Sequence, residues 1–148
     1  MTNKYKFDEV KILLVEDNAA DIRLTDEVIR VIKIVKNLYV VRDGVEAIDF
    51  LRKKGRFANV SEPDLILLDL NLPKKGGFEV LDEIKQDDNL KQIPVVILTI
   101  SDAEEDIIKA YNLYANCYVI KPLEMKEFSN IIESIIHFWF RIVKLPNK

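Results

Sequence analysis

Two rhythms of apolar residues alternate along the chain. Runs that are apolar almost without interruption occur at Val10-Lys-Ile-Leu-Leu-Val15, Leu38 to Val41, Leu65-Ile-Leu-Leu68, Pro94-Val-Val-Ile-Leu98 and Cys117-Tyr-Val-Ile120. Their length and branched content predict strands. Between them, apolar positions recur every three or four residues. Ile22, Thr25, Val28, Ile29 and Ile32 predict a helix from about Ala19 to Val35. After the turn signal Asp43-Gly44, the residues Val45, Ile48, Phe50 and Leu51 predict a second helix to about Lys54, followed by a polar connection from Gly55 to Pro63. Phe78, Leu81 and Ile84 set a third, Ile107, Ile108, Tyr111 and Tyr114 a fourth, and the last runs from about Glu124 to Val143. Ser101 followed by Glu104 predicts a capping box, and Asp102, Glu104 and Glu105 place negative charge at that helix start. Strands alternating with helices, without repeats or low-complexity segments, argue for an open parallel sheet covered on both faces.

The residues that end the strand runs carry the chemistry. The first run leads into Glu16-Asp17, the third into Asp69, the fourth ends on Thr99, and the fifth leads into Lys121-Pro122. Strands of a parallel sheet all point one way, so these residues converge on one edge. Three carboxylates, a hydroxyl and an ammonium there describe a site for Mg²⁺ and a phosphoryl group. Read singly, each has a plain structural explanation. Glu16 and Asp17 could cap the next helix, Asp69 could form a buried turn, Thr99 could be a strand residue, and Lys121 could be a solvated lysine before a turn proline. Their coincidence at four strand ends outweighs those readings.

Composition narrows the class without changing this picture. A chain of 148 residues suits one domain with a single core. A net charge of −3, with lysines scattered apart from Lys53-Lys54 and Lys74-Lys75, gives no footprint for nucleic acid. The single cysteine, Cys117, excludes a disulfide framework and suits a reducing cytosol. Met1 to Glu9 has no apolar core of a signal peptide, and no apolar stretch is long enough to span a bilayer. A soluble cytoplasmic protein with no nucleic-acid or membrane partner is the expectation.

With these residues in hand, the chain resembles the receiver domain of two-component response regulators over nearly its whole length. That family's signature is an acidic pair after the first strand, Asp on the third, Ser or Thr on the fourth and Lys-Pro after the fifth. All are present here in order. A narrower resemblance, to single-domain regulators that accompany bacterial phytochrome kinases, rests on Ala115-Asn-Cys-Tyr-Val-Ile-Lys-Pro122 and Phe138-Trp139. The resemblance implies a flavodoxin-like (βα)5 doubly wound parallel sheet with strand order 2-1-3-4-5. One receiver domain would span residues 1–148, its core about 10–143, with a short N-terminal extension and a C-terminal tail. It also implies that Asp69 accepts a phosphoryl group from a histidine kinase. Mg²⁺ would be held by Glu16, Asp17, Asp69 and the Asn71 backbone carbonyl. Thr99 and Lys121 would stabilise the phosphoryl group, and Thr99 with Tyr118 would form the switch. Tyr118 reads equally as a static aromatic on the last strand. By the same resemblance the Lys121–Pro122 bond would be cis. Such a chain assists its own phosphorylation and dephosphorylation rather than turning over as a conventional enzyme.

Two features depart from a plain reading. Ile100 follows Thr99 where the family usually carries a small residue, which predicts narrowed access to the phosphoryl group and an altered lifetime. The last helix carries two apolar stripes. Phe128, Ile131, Ile135, Phe138 and Ile142 are expected to face the sheet. Ile132, Ile136, Phe140 and Val143 are then left to be covered, by the chain's own ends or by a homodimer through the last helix and strand, as similar regulators pair. His137 has no partner motif and reads as packing or surface. Gly76-Gly77 reads as backbone punctuation where φ is positive.

Rival functions are weaker. A flavodoxin-type cofactor site would carry a Ser-, Thr- or Gly-rich loop in place of Glu16-Asp17. An aspartyl-phosphate hydrolase would carry its Asp-x-Asp pair on the first strand. A phosphorylation-independent interaction module and a relay intermediate stay as alternatives to a stand-alone regulator that signals by altered protein contacts.

Overall fold

The computed structural model describes residues 10–146. The expected N-terminal extension and the last two residues lie outside the described residues. The elements run β1 (Val10–Val15), α1 (Ala19–Arg30), β2 (Val35–Val41), α2 (Gly44–Leu51), β3 (Leu65–Leu68), α3 (Gly77–Gln86), β4 (Val95–Thr99), α4 (Glu104–Asn112), β5 (Cys117–Ile120) and α5 (Met125–His137). A 3₁₀ turn, Gly55–Phe57, follows α2, and a π-helical turn, Phe138–Ile142, continues α5. All strand pairs are parallel, in the order β2-β1-β3-β4-β5. This is the five-stranded flavodoxin-like architecture that the family resemblance implies.

The uninterrupted apolar runs are explained by burial on both sheet faces. Leu13, Val15, Ile66, Leu68, Val95 and Ile97 join one core with residues of α2, α3 and α4. Their sequence neighbours Ile12, Leu14, Leu65, Leu67, Val96 and Leu98 join the other, with α1 and α5. Side chains alternate across a strand, so each central strand feeds both cores. Local chemistry sets where the first two helices start. Asn18 caps α1 by accepting the Asp21 N–H at 3.0 Å, and Asp43 caps α2 by accepting the Glu46 N–H at 2.8 Å. Because Asn18 holds that role, Glu16 and Asp17 do not cap α1.

Several expectations need correction. The first helix stops at Arg30 rather than Val35, and Val35 instead opens β2 opposite Val10. Ile32 and Val35 had kept the helical spacing through two tight turns, Ile32 N–H to the Ile29 carbonyl and Val35 N–H to the Ile32 carbonyl. The Ser101 capping box does not form. Ala103 holds the cap position of α4, and the Ser101 hydroxyl donates to Asp106 at 2.6 Å.

The largest correction concerns α5. Ile132, Ile136 and Phe140, expected at an intermolecular interface, are buried with Phe128 and Ile135 in the core shared with α1, and Val143 is half-buried. Phe138 and Ile142, expected inward, are the exposed pair. Two causes combine. α5 packs on α1 as well as on the sheet, so its apolar face must be wider than one stripe. The π turn, closed by the Val143 N–H on the Phe138 carbonyl at 2.9 Å, then shifts the later positions around the axis. Burying each such side chain contributes about 1.5–3 kcal/mol to the fold. Those three residues are therefore monomer core.

Candidate functional site

Strand register builds the site. Val15 lies opposite Leu68, so Glu16 and Asp69 emerge side by side, tied by the Asp69 N–H on the Val15 carbonyl at 3.0 Å. The chain leaves β1 toward β2 on one side and returns to β3 on the other, and the crevice at such a reversal is the favoured binding place of an open α/β sheet. From the far side, the Lys121 N–H donates to the Thr99 carbonyl at 2.7 Å, which anchors the lysine just past β5.

The Lys121 ammonium reaches back across the edge and meets three carboxylates. It donates to Glu16 Oε1 at 2.6 Å, Asp21 Oδ2 at 2.8 Å and Asp69 Oδ2 at 3.0 Å. Burial works against its charge, but hydrogen bonds to Asp21 and Glu16 and the charges of Glu16 and Asp69 overcome this and raise its pKa above the ordinary value. Glu16 moves the same way for another reason. Its burial, helped by the negative charge of Asp69 and opposed by Lys121, pushes its carboxyl up to about 7. The other Glu16 oxygen accepts the Asn18 N–H at 3.1 Å.

Thr99 is fully buried, and its hydroxyl has no hydrogen-bond partner among the described residues. A buried hydroxyl without a partner is costly and calls for an acceptor or donor from water, an ion or a ligand. Tyr118 lies on the adjacent strand, half-buried. Its hydroxyl donates to the Ser101 carbonyl at 2.9 Å, and its N–H donates to the Tyr111 hydroxyl at 3.1 Å. Burial, against the Ser101 bond, raises the Tyr118 pKa. Ile100 is 65% exposed directly after Thr99.

The loop after Asp69 is drawn tightly over the strand end. Asn71 donates its N–H to Asp69 Oδ1 at 3.2 Å, and the Gly77 N–H donates to the Leu70 carbonyl at 3.1 Å. A Cβ on Gly77 would stand 2.5 Å from the Asp69 carbonyl oxygen and from Leu70 Cα. Glycine is thus required there for close approach. The positive φ expected at Gly76-Gly77 belongs instead to Lys74, at 66°. The Lys121–Pro122 bond is trans, not cis. Trans is the intrinsically favoured isomer, and here the lysine is already aimed by its three carboxylates.

The structure brings Glu16, Asp69, Thr99 and Lys121 to one edge but leaves Asp17 exposed, outside the ion-paired group. Among the described residues no three carboxylate, His or Cys side chains form a ready-made metal cluster. The ammonium occupies the centre that the carboxylates share. The donor set of carboxylates and a loop carbonyl is nonetheless the hard-oxygen chemistry that Mg²⁺ takes. Asp21 was absent from the sequence expectation. Its signal was faint: it sits three residues after the cap Asn18, on the first turn of a helix that starts at the acidic pair. His137 is exposed at the end of α5, beside a groove lined by Ile32, Lys33 and Arg141 and remote from the site. No helix among the described residues is long and apolar enough to cross a membrane.

Comparison with known proteins agrees with this fold. The response regulator receiver domain family matches residues 12–133. The chain is 50% identical to response regulator Rcp1 of Synechocystis sp. over 135 residues, covering 91% of this chain and 92% of that one. The crystal structure of the phosphorylated cyanobacterial phytochrome response regulator RcpA superposes with a TM-score of 0.91 at 50% identity, over 94% of this chain and 99% of that one. The Mn²⁺-bound form of Rcp1 gives a TM-score of 0.88 at 47% identity, over 94% of this chain and all 100% of that one.

Proposed function

This chain belongs to the response regulator receiver domain family, and from that premise we propose that it accepts a phosphoryl group on Asp69 from a histidine kinase. The observation that carries the reading is the buried Lys121 ammonium bridging Glu16 and Asp69 beside the unpartnered Thr99 hydroxyl. A carboxylate oxygen of Asp69 forms the new P–O bond as the P–N bond to the kinase imidazole breaks, leaving the imidazole nitrogen to be protonated. The transition state is loose, so the site's work is positioning and charge neutralisation. Lys121 offers its ammonium to the phosphoryl oxygens. Thr99 gains the acceptor that its hydroxyl lacks, and Tyr118, through its bond to the loop after Thr99, carries the change to the surface.

Mg²⁺ would be held by Glu16, Asp17, Asp69 and the Asn71 carbonyl, and when bound it supplies positive charge at the phosphoryl oxygens. The Mn²⁺ of the relative Rcp1 supports a divalent cation. The name of RcpA supports a phytochrome-type sensor kinase as the donor, and in this reading the place of work is the cytoplasm. In this reading the chain promotes its own phosphorylation and dephosphorylation and signals through protein contacts. Pairing of two copies rests on different side chains from those first expected. Ile108 and Tyr111 on α4, Tyr114 after it, and Ile120 on the edge strand β5 are exposed. Sedimentation of wild type against Ile120→Asp tests that face.

Intact mass after incubation with acetyl phosphate and Mg²⁺ tests the central claim. One added phosphoryl group is expected, absent in Asp69→Asn and in EDTA. No adduct under conditions that label an ordinary receiver would favour a phosphorylation-independent binding module.

A further inference from the structure

An ammonium has three N–H donors, and all three of Lys121's are committed to carboxylates. A phosphoryl group on Asp69 can take one only if a present partner lets go. The three partners are not equivalent. Asp69 itself carries the incoming group, whose oxygens inherit the N–H that its carboxylate held, so a second N–H for that group must come from another partner. The Glu16 side chain is 3% exposed, at the end of a central strand, with its second oxygen held by the Asn18 N–H. Asp21 is 24% exposed and sits on the first turn of α1. Water can resolvate its carboxylate when the ammonium leaves, so its bond costs least to break. Its negative charge also lies on the ammonium that an incoming anion must engage.

We propose that Asp21 is a release latch on Lys121: its carboxylate holds the third N–H of the ammonium and yields it to a phosphoryl oxygen, and in doing so sets how tightly the site takes a phosphoryl-like anion. Asp21 touches neither the phosphoryl group nor the acceptor oxygen. It is a positioning residue that acts through Lys121. This rests on the receiver reading, and the experiment separates the two.

The probe is beryllofluoride, titrated into the full chain at saturating Mg²⁺ and followed by calorimetry. Failure of the wild type to bind it would count against the receiver reading itself. With wild-type binding established, Asp21→Asn is expected to bind about three- to tenfold tighter, the scale of one partly exposed charge-assisted bond. Asp21→Ala provides the same test should the amide form a substitute bond. A role in mere helix stability would shift urea midpoints in any background. The latch instead requires the gain in affinity to fall below about twofold when Lys121 is replaced by Ala, because only a lysine can be released. Equal or weaker binding by both Asp21 variants, or a gain that persists without Lys121, would overturn it.

Discussion

Replacing Thr99 by Val should move stability and ligand affinity in opposite directions. The side chain is fully buried, and its hydroxyl has no partner among the described residues. An unsatisfied buried hydroxyl costs about 1–3 kcal/mol. Valine has the same branched shape and strand preference, so the exchange opens no cavity and asks for no new rotamer. The ligand-free protein should therefore gain about 1 kcal/mol. In a chain of this size that raises the melting temperature by roughly 2–4 °C. Urea unfolding in EDTA is the assay, with an unchanged slope showing that only stability has moved. Beryllofluoride binding at saturating Mg²⁺ should weaken about ten- to hundredfold, because a hydrogen bond to a charged acceptor is worth about 1.5–3 kcal/mol. A Val variant less stable than wild type would refute the reasoning, since the hydroxyl would then be satisfied in the resting protein. Unchanged anion affinity would remove Thr99 from the phosphoryl site.

Other predictions follow from particular contacts. Glu16 has its carboxyl raised from 4.5 to about 7 in the fold. The stability this contributes is complete below about 4.5 and is lost as pH rises through about 7. Glu16→Gln stays neutral, so in EDTA its urea midpoint should fall less than wild type's between pH 4.5 and about 7, and parallel curves would sink the assignment. Gly77→Ala forces a methyl within 2.5 Å of the Asp69 carbonyl oxygen. It should destabilise by about 1–3 kcal/mol and slow acetyl phosphate labelling through displaced Asp69; a thermal melt matching wild type would show that the loop yields freely. Ile100 is 65% exposed directly after Thr99. Ile100→Ala should leave the melting temperature unchanged while altering the phosphoryl lifetime, and identical lifetimes would remove Ile100 as a gate.

The alternation of rhythms was enough to read a parallel sheet covered on both faces, while the strand order came from the family resemblance. Central strands buried on both faces must be apolar without interruption, and helices over a sheet must be apolar at helical spacing, so the pattern is a direct record of burial. The strand ends were legible for the same reason. Parallel order forces Glu16, Asp69, Thr99 and Lys121 to one edge whatever the side-chain details. The exposure of Asp17 was not legible, because no rule of spacing says how far a side chain is covered once it leaves the strand.

What only the tertiary structure decided are the distances and faces set by packing between elements remote in sequence. Asp21 joins the site because α1 packs where a lysine one hundred residues later can reach it. No local pattern in either segment encodes that meeting. Ile132, Ile136 and Phe140 are core because α5 lies against α1 as well as the sheet, and because a π turn shifts the last positions. Apolar spacing tells that a face is buried. It does not tell how wide that face is, or whether the cover comes from the same chain. Gly77 is glycine because the loop closes on the Asp69 backbone, which is a contact and not a torsion. The sequence alone determined which residues are present at the edge and that they must share it. The fold decided which of them touch, and so left one ammonium held by three carboxylates.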